Sequence, residues 1–464
     1  MFQNKNFKIK LSVLVLLFVF LTTAGLGCKS TVPPEATKPV TLKYWRVWDS
    51  QDDFAAIISA YRAMHPNVNI EYRTFRYEEY QNALLEAFAE DRGPDIFAIP
   101  NTWVNEYRSK MSPAPLEATV PFQTKVKVLG IKEEIKVELR TNKFLTPKQL
   151  KDKFLDVVYG DVVWPDPTDG QDKIMALPLS VDTLAMFYNR DILNAAGLAA
   201  PASDWLEFQQ QVKKIVKQDK AGNIVQAGAA LGTSSNVQRS FDILSVLMMQ
   251  NGTPIASGNS VTMAAFPPNL PRREVPPGEE ALIFYTDFAY PAKEVYTWND
   301  TMPDSLEAFL AGKTAFFFGY AYHLADIKNR AGNLNFSYTA LPQIKDNPQV
   351  NYANYWVETV AKKSANAAWA WDFLYFAAAP DQVKSYLDKT AKPTALKSLL
   401  DYQTTKEDLL PFVSQLLTAR SWYHGRDAEA AESIFKEMID NVVKAKLTTR
   451  EALNLASGKL QQTM

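Results

Sequence analysis

Asp182 is the residue hardest to reconcile with its neighbours. It lies in ALPLSVDTLAMFYNRDIL, residues 176–193, an otherwise apolar run that reads as a strand entering a helix. A carboxylate there must be paired or face a wet cleft. Elsewhere aromatic and polar residues stand together: Trp48 with Asp49, Asn101 with Trp103, Tyr320 with Tyr322, Trp356 with Glu358, and Trp422 with Tyr423, His424 and Arg426. Flat rings beside hydrogen-bonding groups are what the C–H faces and hydroxyls of a sugar require. The chain has 10 Trp and 20 Tyr, and any single ring is more often core packing. Catalytic readings are thin. The three histidines, His65, His323 and His424, are far apart, and Cys28 is the only cysteine. Among 51 acids some pair always suits glycoside hydrolysis, so such a pair carries no weight. No cofactor, metal or enzymatic activity is expected.

Alternating elements position these residues. Residues 40–48 (VTLKYWRVW) read as a strand, and Phe54, Ile57, Ile58 and Tyr61 recur at helical spacing up to His65-Pro66-Asn67. A strand over 68–75, a helix carrying Tyr80, Leu84, Leu85 and Phe88, and a strand over 95–99 follow. That order implies a parallel sheet whose ligands collect at the carboxyl ends of the strands, after Trp48 and after Ile99. Residues 104–168, with the charged stretch 125–143, read as an insertion without assigned chemistry. Asp204 with Glu207 and Thr448 with Glu451 have capping-box spacing. Residues 305–319 read as a helix, a glycine stop and a buried strand that delivers Tyr320 and Tyr322. Period-two alternation puts Trp356 and Glu358 on one strand face.

The 464 residues exceed the roughly 250 to 300 at which a single core stops growing, so two lobes are expected. With 47% hydrophobic and 22% charged residues the chain is globular, not disordered. Lys5, Lys8 and Lys10 precede an apolar run over 11–21, a signal-peptide pattern ending at TTAGLGC, residues 22–28. Removing residues 1–27 takes away three positive charges and brings the formal charge from -1 to -4, so nothing favours nucleic acid. The segment ending at Cys28 resembles the lipobox of bacterial lipoproteins, whose cysteine is lipidated. Gly27 fits that motif, and Gly25 departs from its usual leucine. Residues 28–39 then form a polar, proline-bearing tether.

Five segments in order resemble the extracellular solute-binding proteins, family 1, of bacterial ABC importers, which include maltose-binding protein. They are Gly93-Pro94-Asp95-Ile96, Leu177-Pro178 through Leu193, Trp205-Leu206-Glu207-Phe208, residues 309–315 (FLAGKTA), and Ala361-Lys362-Lys363-Ser364. The resemblance implies an α/β, two-lobed periplasmic-binding-protein-like fold (type II) with a ligand cleft between hinge-connected lobes. The N-terminal lobe would comprise 40–181 with about 356–400, and the C-terminal lobe 182–355 with about 401–464. Crossings are implied near Val181–Ala185, near Tyr355–Val360 and between Leu399 and Pro411.

By the same resemblance Asp182 matches an acidic residue at the first hinge, and Trp48, Asp49, Asn101 and Trp103 fall in ligand loops. The family often has an acid and an arginine where this chain has Asn101, Thr102 and Trp103, and a small residue near Glu358. Tyr322, or Tyr320, matches the aromatic platform of the second lobe, with Trp298 as a weaker choice. The implied function is a monomeric, exported, lipid-anchored receptor. It captures a sugar or oligosaccharide by lobe closure and delivers it to permease subunits with an ATPase. A polyamine, phosphodiester or chelated iron on the same fold stays open as an alternative. Iron-binding relatives use a tyrosine pair, for which Tyr320 and Tyr322 are the candidates.

Overall fold

The structure is a computed structural model that describes residues 38–128, 132–268, 270–271 and 273–464. The leader, Cys28 and most of the tether lie outside the described residues. Five elements follow in the expected order: β1 (Val40–Val47), helix Gln51–Met64, β2 (Val68–Phe75), helix Tyr77–Ala89 and β3 (Ile96–Pro100). β1 pairs in parallel with β2 from Val40–Val68 to Val47–Phe75 and with β3 at Tyr44–Ile96. Ser50 starts the first helix through a capping box with Asp53. The helix buries Phe54, Ile57 and Tyr61, three of the residues that set its period.

β4 (Met111–Ser112) is short, and the charged insertion is a two-stranded ribbon of β5 (Glu117–Val128) and β6 (Lys132–Lys143). Its base is seated by buried Ala118 and Val120, by the Pro121 carbonyl 2.8 Å from His65 Nδ1, and by Asn142 Nδ2 donating to Asp372 at 2.6 Å. Tyr61 donates to the same carboxylate at 2.8 Å. Burial and the Asp372 charge push the Tyr61 hydroxyl well up, so it stays protonated and donates.

β7 (Val163–Pro165) and β8 (Asp172–Ile174) form a small ladder, after which β9 (Asp182–Thr183) and β10 (Ala185–Asn189) enter the second half. There β11 (Lys217–Gln218), β12 (Ile224–Ala229), the β13 (Ala256–Ser257) and β14 (Ser260–Val261) pair, β15 (Thr314–Gly319) and β16 (Phe336–Ala340) follow. The second sheet has the order β11-β12-β15-β10-β16. All six residues of β15 are buried, because it is central and covered on both faces. Asp204 caps its helix by accepting from the N–H groups of Leu206 and Glu207 at 3.0 and 2.9 Å. Thr448 and Glu451 complete a capping box.

Three strands then stitch the halves together: β17 (Asn351–Asn354), β18 (Trp356–Ala361) and β19 (Ala419–Arg420). β18 returns to the first sheet antiparallel to β3 and β4, giving the order β2-β1-β3-β18-β4. β19, β17 and β9 form a separate three-stranded sheet between the lobes, with Asn354 opposite Asp182 and Asn351 opposite Ala419. The chain passes over once more after Gln403, which bonds Lys392 and Thr394 of the first lobe. Asp408 already holds Lys328 and Tyr338 of the second.

Candidate functional site

The carboxyl ends of β1 and β2 and the start of the antiparallel β18 lie at one edge of the first sheet, and each brings an aromatic ring there. Trp48 follows β1 with φ 70°, a left-handed conformation uncommon for a bulky residue. Its ring is 65% exposed and stacks on Tyr77, with centroids 5.8 Å apart and planes 18° apart. Tyr77 opens the helix after β2 and is itself 43% exposed. The half-buried Trp356 meets Tyr77 edge-on at 6.3 Å. These rings form an aromatic wall on the first lobe.

The second lobe has an exposed ring of its own. Tyr322, just past β15, is 56% exposed. Beneath it Tyr320 is fully buried, its hydroxyl donating to Asp242 at 2.5 Å. Arg239, with φ 59° at the start of helix Ser240–Gln250, places Nε and Nη2 on the same carboxylate, each at 2.6 Å. Burial and the carboxylate of Glu432 raise the Tyr77 hydroxyl, against the pull of Arg239. Both of those charged groups belong to the second half of the chain, Arg239 before helix Ser240–Gln250 and Glu432 on helix Ala428–Val443. Burial likewise pushes the Tyr322 hydroxyl up to about 12, with Arg239 opposing.

Asp182 forms the floor where the lobes join. Its Oδ1 accepts from the Thr183 N–H at 2.8 Å and its Oδ2 from the Ala321 N–H at 2.9 Å. Burial pushes its pKa up to about 7, with those N–H groups and Lys392 pulling the other way. Each carboxylate oxygen keeps lone pairs beyond these bonds and can accept from a solute hydroxyl.

Several expected contact residues point elsewhere, each for a packing reason. Glu358 lies in the interior of the first lobe, where it pairs with Arg46 and accepts from the Tyr44 hydroxyl at 2.6 Å. β18 sits between β3 and β4 with both faces covered, so sharing a face with Trp356 does not bring Glu358 to the cleft. Asp49 is buried too, held by Arg46 at 2.6 Å, by the Tyr386 hydroxyl at 2.8 Å and by Lys392. Burial would raise its carboxyl, but Arg46 and then Lys392 outweigh burial and hold it below its usual range. Tyr320 is a support for Arg239 and Asp242, leaving Tyr322 as the exposed platform.

Asn101 donates to Asp161 at 2.9 Å, and Tyr355, Ser421 and His424 converge on the same buried carboxylate, Tyr355 at 2.5 Å and His424 at 2.8 Å. Asp161 therefore pins together a first-lobe loop, the β17–β18 junction and the segment after β19. Burial would lower the His424 imidazole, but its bond to and pairing with Asp161 raise it above its usual value. Trp103 is buried on Tyr107, Trp422 is buried with its indole N–H on Ser245 at 3.0 Å, and Trp298 is buried on Asn236. Arg426 is exposed, and its backbone N–H donates to the Thr463 carbonyl at 2.6 Å.

Tyr77, Arg239, Glu432 and Lys392 were not singled out, yet Tyr77 stacks on Trp48, Arg239 lies beside the Tyr320 ring and Lys392 holds Asp49. Tyr77 was legible, because it follows the second strand of a parallel sheet as Trp48 follows the first. Arg239 and Glu432 carry no local signal, since their roles depend on partners from other segments. Among the described residues no three His, Cys, Asp or Glu side chains converge as a metal site.

The solved structures most useful for comparison share the fold at low identity. A cyclic alpha-maltosyl-1,6-maltose binding protein from Arthrobacter globiformis has a TM-score of 0.70 and 18% identity, with 92% of this chain and 99% of that chain covered. The sugar-binding protein MalE from Xanthomonas citri has a TM-score of 0.69 and 15% identity over 91% and 97%. An ABC transporter solute binding protein from Thermotoga lettingae, bound with alpha-D-tagatose, has a TM-score of 0.63 and 16% identity over 91% and 99%. The family model for bacterial extracellular solute-binding protein matches residues 48–384, most of the chain. On that match, the chain belongs to the bacterial extracellular solute-binding protein family.

Proposed function

We propose that this protein is the receptor of an ABC importer and that it captures a neutral sugar or oligosaccharide between its lobes. The observation that supports the reading is an exposed aromatic surface on each half, Trp48 stacked on Tyr77 at the edge of the first sheet and Tyr322 just past β15, with the Asp182 carboxylate bonded to the Ala321 N–H next to Tyr322. Rings on both sides cover the two C–H faces of a pyranose, while Asp182 accepts from its hydroxyls. The similar proteins bind alpha-D-tagatose, maltotetraose and mannobiose, which supports a carbohydrate over a polyamine, phosphodiester or iron chelate.

In this reading the N-terminal lobe is 40–181 with about 356–400 and the C-terminal lobe 182–355 with about 401–464. The ligand contacts are Trp48, Tyr77, Trp356, Tyr322 and Asp182. Closure follows because a solute touching both walls favours the shut state. The closed receptor, a monomer, then hands its solute to permease subunits driven by an ATPase and performs no catalysis. Export and a lipid on Cys28 keep it at the membrane. No helix among the described residues is long and apolar enough to cross one.

A thermal-shift screen of a few hundred solutes on protein lacking residues 1–28 tests this, since a ligand that binds only the folded state raises its melting temperature. Neutral sugars are expected among the strongest stabilisers. Stabilisation by polyamines, phosphodiesters or iron chelates alone would overturn the carbohydrate reading.

A further inference from the structure

Beside the cleft a polar cavity of about 240 Å³ opens between the 234–241 loop, Asp304 and helix Ala428–Val443. It shares Arg239 with the second-lobe wall, where the guanidinium lies 5.7 Å from the centroid of the Tyr320 ring that stacks on Tyr322. The cavity is smaller than the roughly 300 Å³ at which drug-sized pockets begin, which suits a single ring and not a whole oligosaccharide. Its base is apolar, from buried Val237 and Phe241.

Its rim has unspent hydrogen-bonding capacity. Arg239 commits Nε and Nη2 to Asp242, leaving Nη1 without a bond among the described residues. Glu432 makes no hydrogen bond or ion pair there, although burial raises its carboxyl and Arg239 and Lys436 only partly offset that. Asp304 spends Oδ1 on the Leu306 N–H and on Gln238 Nε2, both at 2.9 Å, and keeps Oδ2. Exposed Ser235 adds a hydroxyl. Donors and acceptors thus both line the cavity together with apolar side chains. A neutral sugar ring matches that pattern because each hydroxyl both donates and accepts. An anion would meet Glu432 and Asp304, and a cation would meet Arg239 and Lys436.

We infer that this cavity is an accessory subsite that takes one additional neutral pyranose, a terminal or branching unit of an oligosaccharide whose other rings lie between Trp48 and Tyr322. The inference rests on the carbohydrate reading of the cleft, and it makes the preferred solute an oligosaccharide of three or more rings.

Calorimetry on the full-length chain in detergent tests it, with linear and branched neutral sugars of one to five rings built from glucose, mannose, galactose and xylose. Wild type is expected to gain about tenfold in affinity between the best disaccharide and the best larger sugar. Ser235→Trp, which fills the cavity from an exposed position, is expected to abolish that gain and leave disaccharide affinity within about twofold of wild type. Glu432→Ala, which keeps a good helix former and removes the free acceptor, is expected to reduce the gain. Three outcomes overturn the subsite alone: no gain beyond two rings in wild type, both variants binding as wild type, or both losing affinity equally for sugars of every size. Failure of wild type to bind any sugar in the set overturns the carbohydrate reading and the subsite with it.

Discussion

Asp182→Asn separates the electrostatic cost of the cleft floor from its packing. The Asp182 pKa is raised to about 7, against about 3.9 for an unfolded aspartate. For a carboxyl raised by folding, the protonated form carries the stability. That stability is complete below about pH 4 and is lost as the pH rises toward and through about 7. Integrating the linkage between pH 5 and pH 8 gives a wild-type loss of roughly 2.6 kcal/mol for a fully buried group. Asp182 keeps some solvent contact, and screening trims the figure to roughly half.

The asparagine does not titrate, so this slope should vanish. Its amide nitrogen cannot accept from the second of the two backbone N–H groups, from Thr183 and Ala321. That adds a pH-independent penalty of about 1 to 3 kcal/mol. The variant is therefore expected to be clearly weaker than wild type at pH 5 and closer to it at pH 8. Urea titrations of both proteins without solute at the two pH values measure this. His424, whose imidazole is raised by Asp161, is present in both proteins, so its titration cancels in the difference. Parallel stability curves would refute the reasoning and mean that Asp182 is not strained by its charge.

Other expectations follow from the same contacts. Trp48→Gly relieves the positive φ, so it should raise stability by about 1 kcal/mol in a thermal melt while lowering solute affinity at least about tenfold in calorimetry. Glu358→Ala removes one of the two carboxylates that pair with buried Arg46, which keeps Asp49, and should cost about 1 to 3 kcal/mol in urea. The fraction that remains folded should bind solute normally, because Glu358 is buried away from the cleft. His424→Gln should lower the melting temperature most in acid. The raised His424 pKa gives stability that is full below about 6.5 and lost as the pH rises through the folded value. Equal differences at pH 5 and pH 8 would contradict that. Cys28→Ser should move the protein from the membrane fraction to the soluble one and abolish labelling by a radioactive fatty acid.

The order of the first five elements was legible because each buries a clean periodic stripe, as with Phe54, Ile57 and Tyr61 on one helix. The parallel β2-β1-β3 register follows from that order. The ribbon at 117–143 was not legible as strands. Its charged residues spoil the alternation that marks a half-buried strand, and much of its stability is cross-strand pairing. Site residues divided along a similar line. The exposed position of Trp48 could be read from the end of β1, whereas Tyr322 could be named only through the family resemblance and only beside Tyr320. Glu358 and Asp49 could not be placed, because their burial depends on Arg46, Tyr386 and Lys392 arriving from distant segments. One clue to Arg46 was available, since it alternates with Leu42 and Tyr44 and therefore shares their core-facing side. Asn101 was placed in the right loop with the wrong partner, for nothing nearby in sequence announces Asp161.

The carbohydrate reading is tested most directly by isothermal titration calorimetry of the protein lacking residues 1–28 against a broad panel of neutral sugars. Saturable binding of at least one sugar is expected, with a dissociation constant in or below the micromolar range, about -8 kcal/mol or stronger. Trp48→Ala and Tyr322→Ala should each weaken it about tenfold or more. Absence of heat with every sugar, alongside tight binding of a solute from another chemical class, would contradict it.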